Sequence, residues 1–394
     1  MEEMTGVEAA AARVHVMHVV RHGFAGGGME NGIINVANRL PPESFRISLC
    51  ALDRQETFSQ RIRHAEFHLL PKHGPGIDWS LIWRLAQLFR RAQVDVVHSH
   101  NWGTFLYAVV AAKLAHVPVI HGEHGKNAGE LEEANWPKYW AKRLLGRRVD
   151  RLITVSQQIA REWEAYGIPS GKIQWVPNGV DTERFRPRID QREQRRNFGL
   201  RQEGLLLGSI GRLDALKNYE VLIAAFARMA PEFPDSHLAL LGEGPCTRRL
   251  QKTAEELGIA DRVHLLGRRS NPEDFLATVD IFVLPSKTEG MSNVVLEAMA
   301  SAIPIVCSAL PCHREVFEPD REGIAVSPCT AEALAETLAA LCRDPERRKA
   351  LGLSERNKIT ARFNIARMVA DYARVYAKYA RTKIPQMAAA VQSS

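Results

Sequence analysis

The 394-residue chain has no long apolar run, and its six cysteines include no C-x-x-C pair. A membrane-spanning helix needs about 20 consecutive, mostly apolar residues, so we expect no integral membrane protein. Without closely spaced cysteines, neither a zinc ribbon nor a disulfide framework is indicated. The opening stretch MEEMTGVEAAAARVHVMHVV starts acidic and then alternates like a strand, unlike a secretory signal. The sequence therefore predicts a cytoplasmic protein with reduced thiols.

Acidic side chains are too few to balance the basic ones, and the formal net charge is +7. Such a surplus suits nucleic acid, a membrane surface or an anionic small substrate. The excess is spread along the chain without an aromatic-interleaved basic stripe, so no nucleic acid partner is expected. The densest basic run is WPKYWAKRLLGRRVDR, residues 136–151, with Lys138, Lys142, Arg143, Arg147 and Arg148. It fits a helix docked peripherally on an anionic membrane, and equally an ordinary helix whose aromatics pack on a sheet.

Short apolar runs alternate with longer amphipathic segments in both halves of the chain. The strand candidates are RVHVMHVV, FRISLCAL, EFHLL, VDVVH, VPVIH, RLITVS and IQWVP, then LLLGSI, HLALLG, RVHLLG, DIFVLP and IPIVCS. Helix candidates lie between them at 79–92, 102–114, 217–230, 244–257 and 292–301. This alternation predicts an α/β protein with two doubly wound parallel sheets, each covered by helices on both faces.

The chain is also too long for one ordinary core. A boundary is indicated at VPNGVDTERFRPRID, residues 176–190, where proline, asparagine and glycine interrupt regular structure. We predict an N-terminal Rossmann-like domain over residues 1–182 and a C-terminal Rossmann-like domain over 183–362. The chain after Pro345 is expected to be helical to about residue 382. Its last part, about 363–382, would cross back and complete the first domain.

The loop after the first strand, RHGFAGGGMENG, is rich in glycine. Gly26, Gly27 and Gly28 allow close approach of the backbone to a ligand, and a helix starting near Met29 can receive an anion at its N-terminus. A dinucleotide fingerprint is the competing interpretation. It fails because Asn31 stands where G-x-G-x-x-G requires the third glycine.

Charged residues of opposite sign follow two strands of the second half. In GSIGRLDALKN, Arg212 and Lys217 lie where a fork-shaped and a compact cation can together hold a diphosphate. In TEGMSNVVLEAMA, Glu289 precedes a helix capped by Ser292, and Glu297 lies within it. Eight positions on one helix would place these glutamates on different faces, ~12 Å apart. This separation suits a long ligand held at two points across a helix N-terminus.

Histidines end two strands of the first half, in VVHSHN (His98, His100) and VIHGEHGKN (His121, His124). An i, i+2 pair on an extended chain points both rings the same way, which a metal can use. The sequence indicates no third and fourth ligand, however. We therefore expect no metal site, and interpret these residues as neutral imidazoles that hydrogen-bond hydroxyl groups in a cleft.

Together, these loops resemble glycosyltransferase family 4, the retaining nucleotide-sugar enzymes of the GT-B fold. The resemblance covers nearly the whole chain, in GGGMENG, DVVHSH, PVIHGEHG, NGVDTERFRP, GRLDALKN and DIFVLPSKTEGMSNVVLEAMASAIPIV. The last segment carries the family's E-x7-E signature. The HGEHG and NGVD pieces further resemble bacterial sugar transferases of exopolysaccharide gene clusters.

The resemblance implies a set of site residues. The implied catalytic residues are Arg212, Lys217, Glu289 and His124. The implied donor-binding residues are Gly211, Arg268, Gly290, Met291, Ser292, Asn293 and Glu297. The implied acceptor and phosphate loop contains Gly26, Gly27, Gly28 and Glu30, with His100 beside it.

Each role follows the chemistry of the side chain. By the resemblance, Arg212 and Lys217 would hold the donor diphosphate and stabilise the charge on the leaving nucleoside diphosphate. Glu289 would bind hydroxyls of the donor sugar, and Glu297 those of the ribose. His124 would lie near the C6 side of the sugar, and backbone amides at 291–293 would meet the distal phosphate.

Two positions depart from the family pattern. The glycine usual after AMAS is Ala302 here, which affects backbone packing behind the signature helix. The glycine pair that usually precedes the next acid is replaced in LPCHRE, so the carry-over of Glu315 is in doubt.

The sequence thus predicts a retaining hexosyltransferase that uses a UDP- or GDP-sugar and a glycan or lipid-linked glycan acceptor. No cofactor or metal is expected, and the protein would be cytoplasmic, with peripheral association at the inner face of the cell membrane left open. The alternatives are a nucleotide-sugar epimerase of the same fold, a non-catalytic sugar-binding protein and a peripheral membrane scaffold built on residues 136–151.

Overall fold

The computed structural model describes residues 13–21, 27–53, 61–125, 136–188 and 190–382. Its first half contains a seven-stranded parallel sheet with strand order β3-β2-β1-β4-β5-β6-β7. The strands are β1 (Val14–Val20), β2 (Phe45–Ala51), β3 (Ala65–Leu69), β4 (Val96–His100), β5 (Val119–Glu123), β6 (Arg151–Thr154) and β7 (Ile173–Trp175). The strand pattern reverses at β1, which is therefore the point where a ligand crevice is expected.

Helices connect these strands and cover both faces of the sheet. They are α1 (Gly28–Arg39), α2 (Trp79–Arg91), α3 (Trp102–Ala115), α4 (Trp136–Gly146) and α5 (Gln157–Ala165). Alternate residues of β1 face opposite cores: Val14 and Val16 pack with α1, whereas Met17 and Val19 pack with α2 and α3. A strand buried on both faces explains the nearly continuous apolar sequence of β1.

The second half contains a six-stranded parallel sheet with strand order β10-β9-β8-β11-β12-β13. Its strands are β8 (Leu206–Ile210), β9 (His237–Leu241), β10 (Val263–Leu265), β11 (Ile281–Leu284), β12 (Ile305–Ser308) and β13 (Ile324–Val326). Its helices are α6 (Gln191–Asn197), α7 (Tyr219–Met229), α8 (Thr247–Glu256), α9 (Pro272–Leu276), α10 (Asn293–Ala300), α11 (Pro311–Val316), α12 (Ala331–Arg343) and α13 (Pro345–Arg362). The prediction of two doubly wound parallel sheets is confirmed.

The C-terminal helical segment is divided into two helices. After α13, the chain turns at Phe363 and Asn364, and α14 (Ile365–Tyr379) begins with the Asn364 side chain accepting a hydrogen bond from Arg367 N. Because asparagine is a favoured N-cap, it marks the start of a new helix rather than the continuation of α13. Helix α14 packs on α1 and β1 of the first sheet, as expected for a helix that crosses back.

The carboxyl ends of the two sheets face each other across a closed crevice. The Asn293 amide, at the start of α10, donates a hydrogen bond to the carbonyl of Gly28 at 2.8 Å. The Glu315 carboxylate on α11 accepts hydrogen bonds from the backbone N–H groups of Gln157 and Gln158 at the start of α5, at 2.8 and 2.9 Å. The loops after the strands of both sheets therefore meet in one place.

Candidate active site

The centre of the crevice holds an ion pair between two loops of the second sheet. Lys217 follows β8, Glu289 follows β11, and these strands are neighbours in the sheet. Lys217 Nζ lies 2.5 Å from Glu289 Oε1, and the Ser286 hydroxyl donates to the same oxygen at 2.7 Å. Both side chains are largely buried, with 20% and 12% of their surface exposed. Burial lowers the pKa of Lys217, but the charge of Glu289, its hydrogen bond to Lys217 and the nearby Tyr219 and Asp214 together outweigh burial and raise the pKa, so the ammonium stays charged.

Arg212 lies on the same loop as Lys217 but is much more exposed. Its side chain is 72% accessible and makes only a 3.8 Å ion pair with Asp214. The preceding residue, Gly211, has no side chain, and a Cβ there would lie 2.7 Å from the Tyr219 hydroxyl oxygen and 3.4 Å from Lys217 Cε. Glycine at this position therefore leaves the room that the Tyr219 hydroxyl occupies beside Lys217. Arg212 remains accessible to a ligand that enters from solvent.

The N-terminus of α10 lies against the first domain. A Cβ on Gly290 would fall 2.1 Å from the carbonyl oxygen of His124, so this close approach requires glycine. The carbonyl of Met291 accepts a hydrogen bond from the Asn178 amide at 3.1 Å. Ser292 is the N-cap residue of α10, as predicted, although its side chain makes no capping hydrogen bond.

Glu297 lies on α10 and is partly buried beside the Arg184 and Glu273 ion pair. Burial raises its pKa to about 8; the charge of Arg184 opposes this rise and that of Glu273 adds to it. Arg184 donates to Glu273 at 2.7 Å. Arg184 was missed as a site residue, although it lies within the NGVDTERFRP segment that carries the resemblance. Arg268 is half-exposed, and its nearest acidic partner is Glu243 at 3.9 Å.

The first domain contributes a chain of histidines to the crevice. His100 Nδ1 lies 3.0 Å from His124 Nε2, and His100 Nε2 lies 2.9 Å from His18 Nδ1. Burial lowers the pKa of His124 to about 4 and that of His100 well below its ordinary value. These rings are therefore neutral at physiological pH, as the sequence-based interpretation held. His18, on β1, was not predicted, because its strand position gives no sign of the neighbours it meets.

Two of the predicted glycines fall within the described part of the chain. Gly26 lies outside the described residues, whereas Gly27 and Gly28 lie at the start of α1. The Glu30 carboxylate folds back over Gly27, where a Cβ would come within 2.0 Å of it. Burial raises the pKa of Glu30. The structure thus places Glu30 and Gly28 on the first-domain side of the crevice, opposite Asn293.

The basic segment at 136–151 does not form a uniformly exposed cationic face. Lys142 is buried, with its ammonium 3.8 Å from the Glu123 carboxylate and 5.0 Å from the ring centroid of Trp163. Lys142 therefore does not contribute to an exposed basic face, which the interpretation of this segment as a membrane-docked helix would require. By contrast, Trp136, Trp140 and Leu144 are exposed at i, i+4 and i+8, so they form a stripe along α4.

The family comparisons agree with this geometry. The description "Glycosyltransferase Family 4" matches residues 26–184, and "Glycosyl transferases group 1" matches residues 190–358. A D-inositol 3-phosphate glycosyltransferase of Thermobispora bispora is 30% identical over 316 residues, which are 75% of this chain and 73% of that protein. The putative glycosyltransferase EpsD of Bacillus subtilis is 29% identical over 306 residues, which are 75% and 80% of the two chains.

Solved structures share the complete architecture. Anabaena HepE in complex with UDP-glucose has a TM-score of 0.82 at 19% identity, and the match covers 93% of this chain and all of that one. WaaG, a lipopolysaccharide glycosyltransferase, has a TM-score of 0.72 at 17% identity over 92% of this chain. Two Rossmann-like domains that enclose a crevice in this arrangement define the GT-B fold. The chain belongs to glycosyltransferase family 4.

The chain is accordingly a glycosyltransferase, as predicted. Nothing in the comparisons favours the epimerase alternative. Where the described residues form helices, none is both long and apolar enough to cross a bilayer.

Proposed function

We propose that this enzyme transfers a hexose from a UDP- or GDP-sugar to a glycan or lipid-linked glycan acceptor, with retention of the anomeric configuration. The observation that carries the proposal is the largely buried ion pair of Lys217 and Glu289, which lies next to Gly290, the residue that contacts the His124 backbone across the crevice. A nucleotide sugar contains a diphosphate and a sugar ring with several hydroxyl groups. A cation can bind the diphosphate, and an adjacent carboxylate can accept hydrogen bonds from the hydroxyl groups.

The donor would lie along the N-terminus of α10. Lys217 and the exposed Arg212 bind the diphosphate, and the unpaired N–H groups of the first turn of α10 bind its distal oxygens. Glu289 accepts hydrogen bonds from sugar hydroxyls, with His124 on the other side of the ring. Glu297, farther along α10, reaches the ribose beside Arg184. Gly211 leaves room for the Tyr219 hydroxyl beside Lys217, and Gly290 allows the contact with His124. Arg268 would meet the nucleoside end of the donor.

Retention would proceed by attack on the same face from which the nucleotide departs. The bond from the anomeric carbon to the phosphate oxygen breaks, and the carbon passes through an oxocarbenium-like state. The acceptor hydroxyl oxygen then bonds to that carbon and gives its proton to the leaving phosphate. Lys217 and Arg212 stabilise the charge on that phosphate, so the transfer step needs no divalent cation.

Relatives support this substrate class. An Escherichia coli relative, 28% identical over 306 residues, is named UDP-Gal:alpha-D-GlcNAc-diphosphoundecaprenol alpha-1,3-galactosyltransferase. A Mycolicibacterium smegmatis relative, 30% identical over 229 residues, is a GDP-mannose-dependent phosphatidylinositol monomannoside mannosyltransferase. Both names combine a nucleotide sugar with a lipid-linked acceptor. We infer the same combination here, in cytoplasmic synthesis of an exopolysaccharide or related glycoconjugate.

The test is a transfer assay. The enzyme is incubated with UDP-, GDP- and ADP-sugars and a polyprenyl diphosphate-linked saccharide, and the product is analysed by mass spectrometry and NMR. We expect transfer from one UDP- or GDP-sugar without added divalent cation and with the anomeric configuration of the donor preserved. An inverted linkage, or conversion of the donor sugar without any acceptor, would reject the proposal.

A lipid-linked acceptor requires a surface that approaches the membrane, and the first domain offers one. Helices that follow strands of a parallel sheet all begin at the same edge, and α2, α3 and α4 begin with Trp79, Trp102 and Trp136. Adjacent helices pack 8–10 Å apart, so this row of tryptophans extends about 20 Å. We define the tryptophan row as these three residues together with Trp83 and Trp140 one turn farther along α2 and α4.

The tryptophan row combines aromatic exposure with positive charge. Its outer members are between 48% and 71% exposed: Trp79, Trp83, Trp136 and Trp140. The Lys138 ammonium lies 5.3 Å from the ring centroid of Trp102, and the Arg143 guanidinium lies 5.8 Å from that of Trp140. Exposed tryptophan beside lysine and arginine favours the interface of an anionic bilayer. The surface lies at the carboxyl edge of the sheet, next to the crevice.

Vesicle binding tests this surface. The double variants Trp79→Ala/Trp83→Ala and Trp136→Ala/Trp140→Ala should each weaken cosedimentation with phosphatidylglycerol vesicles by about tenfold or more, because each removes two large apolar side chains from the interface. Leu353→Ala, which removes an exposed apolar side chain of the second domain, is the matched control. Binding unchanged in both double variants would exclude the tryptophan row as the membrane surface.

A further inference from the structure

Three buried histidines converge beneath the crevice, at the carboxyl ends of β1 and β4. One ring nitrogen from each of His18, His98 and His100 lies within 4.8 Å of the other two. All three side chains are almost completely buried. They line a small pocket between α1 and α14, together with Tyr376. The donor chemistry described above makes no use of His18 or His98.

Two ring nitrogens of this cluster take part in none of the hydrogen bonds formed by the described residues. His18 Nδ1 pairs with His100 Nε2 at 2.9 Å, and His98 Nδ1 pairs with the Tyr376 hydroxyl at 2.8 Å. Among the described residues, His18 Nε2 and His98 Nε2 have no hydrogen-bond partner, although both atoms are buried. An unsatisfied buried polar group costs about 1–3 kcal/mol. Two such groups lining one pocket indicate that a ligand satisfies them.

The imidazole side chains of the cluster suit a cation. Neutral imidazole is the form that coordinates metals, through the lone pair of its unprotonated nitrogen. The cluster contains no carboxylate, so its ligand set is composed of imidazoles alone, which suits zinc, copper or nickel rather than magnesium or calcium.

We propose that His18, His98 and His100 bind one divalent transition-metal ion, with zinc as the best match to three imidazoles. Zinc accepts three histidines and a fourth ligand at 2.0–2.1 Å from each nitrogen, which places the nitrogens ~3.4 Å apart. The rings therefore move together slightly, so that His18 and His98 bind through their unpartnered Nε2 atoms and His100 exchanges one of its two ring hydrogen bonds for a metal bond. The Tyr376 hydroxyl holds the other nitrogen of His98, as outer partners of metal-bound histidines do.

The metal site would have a structural role. It joins β1 to β4 and, through Tyr376, fastens α14 to the first sheet next to Asn178, which lies between the domains. It is separate from the diphosphate, which Lys217 and Arg212 neutralise. The expectation of a metal-free transfer step is therefore compatible with this site, whereas the expectation that the chain binds no metal is not.

Cobalt is a suitable probe, because Co²⁺ in a histidine site absorbs visible light. The full-length enzyme, stripped with EDTA and dialysed, is titrated with Co²⁺ and then with Zn²⁺. We expect visible bands that saturate at one equivalent and disappear when Zn²⁺ displaces the cobalt. His18→Gln and His98→Gln should each weaken binding at least tenfold, because each removes one ligand.

The chain contains a matched control. His237 on β9 and His264 on β10 also pair through their rings, at 3.1 Å, far from this pocket in the other sheet. His237→Gln should therefore bind cobalt like the wild type. Circular dichroism shows whether each variant is folded.

Tyr376→Phe keeps all three ligands and removes the outer hydrogen bond, so it should weaken binding by roughly ten- to a hundredfold. This variant keeps the test decisive if loss of a buried histidine prevents folding. The proposal is overturned if the wild type gives no saturable cobalt spectrum. In that case, a water molecule would be the ligand that hydrogen-bonds the two Nε2 atoms. It is equally overturned if the spectrum survives in Tyr376→Phe at unchanged affinity and in every folded histidine variant.

Discussion

Lys217 Nζ lies 2.5 Å from Glu289 Oε1, and 72 positions separate the two residues in the sequence. The pair keeps both charges in place within the crevice before any donor enters. In the proposed donor complex, phosphate oxygens would replace the carboxylate around Lys217, and sugar hydroxyls would replace the ammonium around Glu289. A preformed pair of this kind reduces the reorganisation that the charged transition state requires.

The two cationic residues Lys217 and Arg212 should have a large effect on the turnover rate. Lys217→Ala and Arg212→Ala should each lower kcat by about a hundredfold or more, because each removes a charge that stabilises the leaving diphosphate. The measurement is sugar transfer at saturating donor. Lys287→Ala, an exposed lysine near Glu289, is the control and should keep wild-type turnover. Near-wild-type rates in both test variants would remove the diphosphate assignment.

Glu297 should make stability depend on pH. Its carboxyl keeps a proton to about pH 8 in the folded state, but loses it near its ordinary pKa of 4.5 in the unfolded chain. Raising the pH between these values therefore costs folded stability. Glu297→Gln cannot ionise, so it should gain stability relative to the wild type as the pH rises from 5.5 to 8.5.

Urea unfolding of both proteins at these two pH values measures the effect. Glu203→Gln, at an exposed site, should show no such change. A constant difference between Glu297→Gln and the wild type would contradict the raised pKa.

The contact between Glu315 and α5 should stabilise the closed form. Its carboxylate receives two backbone N–H groups of the other domain, and this contact forms only when the domains meet. Capping interactions contribute about 0.5–2 kcal/mol, so Glu315→Ala should weaken donor affinity by about tenfold. Isothermal titration with the donor nucleotide measures this, with Glu318→Ala as an exposed control. Unchanged affinity would mean that closure does not depend on this cap.

Alanine at position 302, where the family usually has glycine, should slightly lower the free energy of unfolding. Ala302 follows α10 with a φ of 57°, in the left-handed region where glycine is favoured. Ala302→Gly removes this strain, which amounts to about 1–2 kcal/mol. Part of that stabilisation is offset because glycine has greater conformational freedom in the unfolded chain. We expect a net gain of about 0.5 kcal/mol in urea unfolding. Ala298→Gly, within α10, should instead lose about 1 kcal/mol. Destabilisation by Ala302→Gly would contradict the account.

Much of the fold follows from local patterns. Apolar runs such as those of β1 and β11 mark the strands, and parallel order then places the loops after β8 and β11 side by side. That geometry is why Lys217 and Glu289 could be expected in one crevice. The short strand β13 was missed because its three residues show no periodicity, and the break at Asn364 because its capping role is defined only by the turn before α14.

Contacts between distant segments could not be predicted. The helical pattern of residues 136–151 gives no sign that Lys142 is buried against Glu123. The role of Glu315 as a cap on α5 depends on the relative position of two domains. The neighbours of His18 likewise arise from sheet order, since β1 and β4 are adjacent although α1, β2, β3 and α2 lie between them in the sequence.

The central claim is that Lys217 and Glu289 together hold a nucleotide sugar, and donor titration tests it most directly. Isothermal titration of the wild type, Lys217→Ala and Glu289→Gln with UDP-glucose, GDP-mannose and the free nucleotides separates the two roles. We predict that one nucleotide sugar binds the wild type, that Lys217→Ala weakens both sugar and free nucleotide, and that Glu289→Gln weakens only the nucleotide sugar. Equal affinity of all three proteins for the donor, or no binding by the wild type, would contradict the account.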